Sequence, residues 1–223
     1  MADKFGLLLD ADLIEDAIRE KIKVWMNTYL LEVEFQRQLD PGSIPRPKSY
    51  LVAEEVDREL GDNLPSIIIA SPGLASQPVK EGDGYYRATW NVALGVVVSA
   101  GGQDSRTNTK RLLRRYTSAL RLLMLQKRNI FDTYTSGPDI DENFEVIDIV
   151  WMDESYDRLD FEDGQTMAAG EVLFEIEISN VANNRLGPKN PAAPSNPTEV
   201  GTSWGEVGST DVTVIPVATD EEV

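Results

Sequence analysis

The clearest pattern in the chain is a regular alternation of apolar and polar positions that begins at Tyr86. A period of two residues is typical of a strand with one covered face, so it predicts a long strand against a hydrophobic core. Gly95 makes a bend in this strand plausible, and Gly101-Gly102 ends it. The apolar positions are Ala88, Trp90, Val92, Leu94, Val96 and Val98.

Two segments have the spacing of helices. Asp12 followed by Glu15 resembles a capping box and predicts the start of helix one, which Asp40-Pro41-Gly42 ends. Its second half is apolar on most sides, which favours either a central core helix or a helix with one side against another subunit. Helix two is predicted over roughly Thr107–Lys127, with an apolar stripe formed by Thr109, Leu112, Leu113, Tyr116, Leu120, Leu123 and Met124.

Shorter patterns predict further extended segments around the long strand. This order of strands and helices predicts an α+β domain of two layers, in which two main helices pack on a mixed or antiparallel sheet. The acidic stretch Asp153–Asp163 is predicted to be a loop between the last two strands. The additional extended segments are Ser49–Glu59, Ser66–Ala70 with its closing turn Ser71–Leu74, Phe144–Met152, and Glu171–Ser179.

The composition changes near residue 183. We therefore divide the chain into an α+β domain at 1–183 and an extended, proline-rich, acidic arm at 184–223. The arm carries Trp204 and an apolar island at Asp211–Ile215. Such a segment cannot stabilise a strand alone, but it can add a strand to the sheet edge of another subunit. The alternative interpretation is a disordered tail.

The composition also narrows the possible chemistry. The chain has no cysteine and no histidine, which excludes disulfides, thiolate metal sites and the common histidine-based catalytic groups. A net charge of −17 argues against a tight grip on DNA, although an acidic wall would let DNA slide past. No apolar run is long enough to cross a membrane and the N-terminus does not resemble a signal peptide, so we expect the product to stay in the cytosol where it is made.

Candidate motifs for metal or phosphate binding fail on inspection. Asp139–Asn143 begins like a calcium loop, but Phe144 occupies the position of the required glycine and Val150 that of the required glutamate. The carboxylates of Asp153–Asp163 lack the spacing of a metal site, and Gly101-Gly102 matches no nucleotide-binding pattern. We therefore expect no catalytic site, no metal and no cofactor.

Basic residues concentrate in helix two. Eight of the 21 lysines and arginines lie between Arg106 and Arg128, and no acidic residue interrupts them. Arginine beside exposed leucine is typical of a contact surface, and an acidic face of a neighbouring copy is its natural counterpart. A solvated helix face and a nucleic-acid contact are the alternatives. The predicted interface residues are Arg111, Arg114, Arg115, Arg121, Leu122 and Leu125 in the helix, with Trp204, Val212, Val214 and Ile215 in the arm.

Several of these segments together resemble the tail terminator, or tail completion, proteins of long-tailed bacteriophages, especially those of actinobacterial hosts. The resemblance covers roughly residues 10–180. It rests on the opening helix, on LPSIIIASPG at Leu64–Gly73, on GDGYYRATW at Gly82–Trp90 entering Val92–Ser99, and on the arginine-rich helix Thr109–Leu125 with Arg114-Arg115-Tyr116.

The resemblance implies a virion protein of the head–tail junction that forms a homo-oligomeric ring, commonly a hexamer. Such a ring ends polymerisation of the tail tube protein and joins the tail to the head connector or stopper. DNA would pass through its lumen without specific binding, and no active site or cofactor is implied. Other interpretations are a different head–tail adaptor, a tail tube subunit, a carboxylate- and metal-dependent hydrolase using Asp141 or Asp153, and a monomeric regulatory binding module.

Overall fold

The computed structural model describes residues 9–56, 63–81, 84–100, 105–135, 144–160 and 166–183. Within them the chain is an α+β domain in which two α-helices accompany a six-stranded mixed sheet, as predicted. The helices are α1 (Ala11–Gln36) and α2 (Ser105–Gln126). The strands are β1 (Ser49–Val52), β2 (Ser66–Leu74), β3 (Val79–Lys80), β4 (Tyr85–Ala100), β5 (Glu145–Asp160) and β6 (Thr166–Asn183).

The N-cap of helix α1 lies two residues earlier than the sequence suggested. The carboxylate of Asp10 accepts the N–H of Leu13 at 2.9 Å, so Asp10 is the N-cap and the predicted Asp12–Glu15 capping box is wrong. Glu15 instead lies buried and accepts the N–H of Ser71 in β2. The helix ends at Gln36, before the predicted proline and glycine.

The sheet has the strand order β1-β2-β4-β6-β5, with β3 pairing to β4 beside β2. Strands β1 and β2 are parallel, and all other pairs are antiparallel. Strand β4 lies at the centre and pairs with β6 along nearly its whole length. Strands β1 and β5 therefore form the two opposite edges of the sheet.

Both helices contribute to one core against one face of the sheet. The alternating set predicted for the long strand, from Ala88 to Val98, is buried and belongs to this core. It packs with the inward residues of β6 and with side chains from both helices, including Ile18, Met26, Tyr116 and Leu120. The other face of β4, which includes Thr89, Asn91, Ala93 and Gly95, is only half-buried. We call this second side the open face.

Several predicted boundaries differ from the structure. The predicted closing turn Ser71–Leu74 is wrong, because β2 continues to Leu74 through a register shift against β4. The segment predicted as extended over Ser49–Glu59 is a strand only to Val52 and continues as a short 3-10 helix at Ala53–Glu55. The predicted acidic loop Asp153–Asp163 is wrong, because β5 continues to Asp160 and pairs with β6 up to Thr166. Acidic residues are tolerated there because β5 is an edge strand, where charge is common.

The described helices include none that is long and apolar enough to span a membrane.

Candidate subunit-contact surface

The predicted interface residues of α2 differ in their exposure. Arg111 and Arg114 are exposed, whereas Arg115, Arg121, Leu122 and Leu125 are half-buried. The four predicted residues of the arm, Trp204, Val212, Val214 and Ile215, lie outside the described residues. The described part of the predicted contact surface therefore consists of α2 and the elements packed beside it.

Arg121 is engaged within its own chain. Its guanidinium lies 2.7 Å from the Glu154 carboxylate and 4.4 Å from the centroid of the Trp151 ring, and both partners belong to β5. The Glu154 side chain is only 10% exposed, so solvent screens this ion pair less than it screens a pair on the open surface. The hydroxyl of Thr117 donates to the same carboxylate at 2.8 Å, and the Tyr156 hydroxyl is its third donor.

Arg114 also faces β5. Its guanidinium lies 5.7 Å from the centroid of the Tyr156 ring, within the range of a cation–π contact. Farther along, Arg128 lies 3.5 Å from Asp148. Three basic residues of this region therefore contact β5 of their own chain, which the sequence analysis did not anticipate. Their part in a contact with a neighbouring copy stays a prediction.

Strand β5 exposes large apolar side chains at the edge of the sheet. Among the described residues, ten large hydrophobic side chains are exposed, and five of them belong to this one strand. Their exposed fractions lie between 36% and 52%. We call this set the β5 edge surface; it consists of Ile147, Val150, Trp151, Met152 and Tyr156.

The backbone of β5 is unusual for an edge strand. It is 16 residues long, and in the part of the chain that is described no strand pairs with its outer side. Register shifts between Val146 and Asp148, and between Trp151 and Asp153, leave Ile147 and Met152 without a partner in β6. Bulges and acidic residues are common protections of an exposed edge, whereas exposed apolar residues at an edge, such as those found here, are uncommon in proteins that stay separate.

Helix α1 presents a second apolar surface. Val24, Leu31 and Phe35 project opposite the core, and Phe35 is 79% exposed. Their spacing of seven and four residues places them in one line along the helix. We call this line the α1 stripe. The other side of this helix lies in the core, and a contact of the α1 stripe with another subunit stays a prediction.

The open face of the sheet carries carboxylates. Glu171, Glu175 and Glu177 alternate along β6 with the buried residues Val172, Phe174 and Ile176, so they project from the side opposite the helices. Arg87 on β4 lies 3.3 Å from Glu177, whereas the structure shows no ion pair for Glu171 or Glu175 among the described residues. This side of the domain is consequently acidic.

The features that the sequence analysis missed centre on Trp151, Met152 and Tyr156. The run VWMDESY contains the only signal that could have identified them, because it places aromatic and apolar residues among acids in a region with strand propensity. Comparison of the chain with known protein families found no family model that matches, and comparison with curated proteins found no significant match.

Proposed function

We propose that this protein is a structural subunit that assembles into a closed homo-oligomeric ring at the head–tail junction of a long-tailed bacteriophage. The ring ends polymerisation of the tail tube and joins the tail to the head connector. The observation that carries the assembly is the β5 edge surface, where five large apolar side chains border an unpaired strand edge of the described domain.

An isolated copy leaves the apolar side chains of the β5 edge surface exposed to solvent. A long apolar edge strand favours pairing or packing with another chain, and large exposed apolar patches mark interaction sites. Trp151 and Tyr156 are residue types enriched at the centres of interfaces. Contacts with Arg121 and Arg114 hold these two rings in place before association, which lowers the entropy lost on binding.

The specific place in the virion rests on the sequence resemblance to tail terminator proteins. The acidic open face is compatible with it, since a surface with carboxylates such as Glu171 and Glu175 repels the phosphate backbone. In a ring that places this face toward its lumen, DNA passes without being held. We expect six copies, with the tail tube protein and the head connector as partners at the two ends of the ring.

The mass of the purified protein in solution tests this proposal directly. We expect native mass spectrometry and negative-stain microscopy to show closed rings of six 24.8 kDa chains. A protein that remains monomeric at micromolar concentrations would contradict the proposal. Open filaments would identify a tail tube subunit instead, because a tube subunit stacks without limit whereas a terminator presents two different ends.

A matched pair of substitutions tests whether the β5 edge surface carries the assembly. Met152→Lys places a charge among the apolar residues of this surface and should dissociate the ring. Leu31→Lys introduces the same group at a site of similar exposure on the α1 stripe and should leave the ring intact. Equal ring populations for both variants would show that β5 is not the contact.

A further inference from the structure

A contact made through the β5 edge surface requires a partner surface, and the charges of the strand narrow the choice. Strand β5 contains six acidic residues and one arginine. Pairing two β5 strands around a two-fold axis would place carboxylates beside carboxylates, which destabilises a sheet. The partner surface should therefore be cationic and different from β5 itself.

The basic residues nearest to β5 are already engaged. Arg121 is bound to Glu154, Arg128 to Asp148, and Arg114 lies over Tyr156, all within one chain. They offset part of the acidity of β5 but leave Asp153 and Asp157 exposed and without an ion pair in the described domain. In a contact between copies, cations for these two carboxylates would therefore have to come from another surface of the neighbouring copy.

A cleft of about 380 Å³ beside β1 supplies such cations. Its walls include Arg19 and Lys23 of α1, Lys48 before β1, and Tyr50 within β1. Arg19 is bound to Asp16 and Glu55, whereas both lysines are exposed and form no ion pair with any described residue. In a chain with 38 acidic and 21 basic residues, two lysines without an ion pair among the described residues, both at one strand edge, are a distinctive feature.

We infer that the β5 edge surface of one copy docks at this cleft on the next copy, with Lys23 and Lys48 facing Asp153 and Asp157. Because β5 and β1 are opposite edges of one sheet, the contact joins two different surfaces. Such a head-to-tail contact generates a closed ring when the rotation between neighbouring copies closes, and an open filament when it does not, so the proposed ring requires a closing rotation. The inference rests on the proposed function, since it specifies how the ring is joined.

Charge reversal tests this contact between the β5 edge surface and the cleft, which we call the seam. The cleft variant carries Lys23→Glu with Lys48→Glu, and the edge variant carries Asp153→Lys with Asp157→Lys. Each variant alone should associate at least about tenfold more weakly than the unchanged protein, because like charges then face each other. An equal mixture should form rings again, since every contact between the two variants is complementary and an even-numbered ring can alternate them.

The basic face of α2, which is the alternative contact surface, provides the control. Lys110→Glu with Arg111→Glu changes the charge by the same amount on the exposed basic face of α2 and should leave the ring intact. Circular dichroism melting curves establish that each variant is folded. Rings that form in both seam variants, or a mixture that stays dissociated, would overturn the inference while the ring itself stands. Loss of rings only in the α2 variant would assign the seam to α2.

Cross-linking offers an independent measurement, because the chain contains no cysteine. The variant with Lys48→Cys and Met152→Cys, treated with a short bis-maleimide, should give a ladder of covalent oligomers that stops at the size of the ring. Met152→Cys alone should stay uncross-linked. A covalent dimer from Met152→Cys alone would indicate a two-fold β5 contact and contradict the seam. An intact ring of the double variant that gives no covalent ladder would also contradict the seam.

Discussion

Three charged side chains, Glu15, Lys21 and Glu34, are buried in the described core; Glu15 binds the backbone of β2, and the other two bind the backbone of connecting segments. Lys21 donates to the Asn129 carbonyl and lies 2.9 Å from Asp132, in the turn after α2. Glu34 accepts the N–H groups of Gly42 and Ile44, in the turn after α1. Buried charges are retained only where such partners satisfy them, so these residues fix how the helices connect to the sheet.

Glu34→Gln should destabilise the domain by about 3 kcal/mol, because it breaks a buried ion pair. Arg46 lies 3.2 Å from this carboxylate, and an amide in its place would turn its NH2 donor toward one of the two N–H groups, Gly42 or Ile44, because each is bound by a different oxygen of Glu34. Urea unfolding at neutral pH measures the loss. Glu32→Gln, on the exposed side of the same helix, is the control and should change little.

The pH dependence of the Glu34→Gln effect follows from the pKa of Glu34. Burial alone would raise this pKa, but hydrogen bonds from Gly42, Ile44 and Arg46 lower it below its ordinary value of 4.5. The stabilisation is therefore present above 4.5 and is lost as pH falls through the lower pKa of the folded protein. The difference between the variant and the unchanged protein should shrink in acid; a constant difference would contradict this account.

Glu15 should behave in the opposite sense. Burial raises the pKa of Glu15 above 4.5, Glu54, Asp12 and Asp16 raise it further, and the Ser71 N–H only partly compensates. Ionised Glu15 consequently reduces stability as pH rises through its folded pKa. Glu15→Gln should match or exceed the melting midpoint of the unchanged protein at neutral pH, with the advantage lost in acid. A lower midpoint confined to neutral pH would refute the assignment.

Among the elements, α2 and β6 approach closely at Gly170. A Cβ atom at this position would lie 3.1 Å from the side chain of Leu113 in α2. Gly170→Ala should therefore cost about 1–3 kcal/mol, as overpacking of a core does. Gly95→Ala is the matched control, because its Cβ would meet Ile68 at the milder distance of 3.4 Å. Denaturant unfolding of both variants should rank Gly170→Ala as the less stable.

The strand patterns that could be predicted are those with one face in the core. Strand β4 alternates from Ala88 to Val98 because every second residue packs against the helices, and that period is visible in the sequence. The second half of β5 has no such signal. There Glu154 and Tyr156 point toward α2 while Asp153 and Asp157 are exposed. Neither side of the strand therefore has a row of apolar residues that would show as an alternating pattern in the sequence.

The basic residues of the candidate contact surface could be predicted from the sequence, but their contacts with β5 could not. The run of basic residues in α2 is evident from composition and helical spacing. Its contacts with β5 depend on partners 33 residues apart, such as Arg121 and Glu154, and on the register of β5 against β6. Short strands such as β1 and β3 likewise take their structure from the neighbours they pair with rather than from local pattern.

For the whole molecule, the distribution of charge matters more than its total. A net charge of −17 makes separate copies repel each other, so association requires a local contact strong enough to overcome it. The described domain has an uneven distribution of charge, because carboxylates lie at the β5 edge and on the open face, while two lysines that pair with no described carboxylate lie beside β1. The same distribution disfavours two-fold pairing of β5 and favours a directional ring.

Removal of residues 184–223 tests whether the arm contributes to the stability of the fold or to the assembly of the ring. The described core extends from Leu9 to Val181, so a chain ending at Asn183 should keep its melting midpoint within a few degrees, since it retains every residue of that described core. If the arm adds a strand to a neighbouring copy, as its island Asp211–Ile215 predicts, the truncated protein should form rings more weakly in native mass spectrometry.

A shorter deletion of residues 216–223 is the control for this truncation. It removes the acidic end but retains Trp204 and the apolar island, so its rings should be as stable as those of the full chain. Rings unaffected by the longer deletion would show that the arm plays no part in the contact, and that β5 and the cleft suffice. A large loss of thermal stability would instead mean that the arm completes the fold of its own chain.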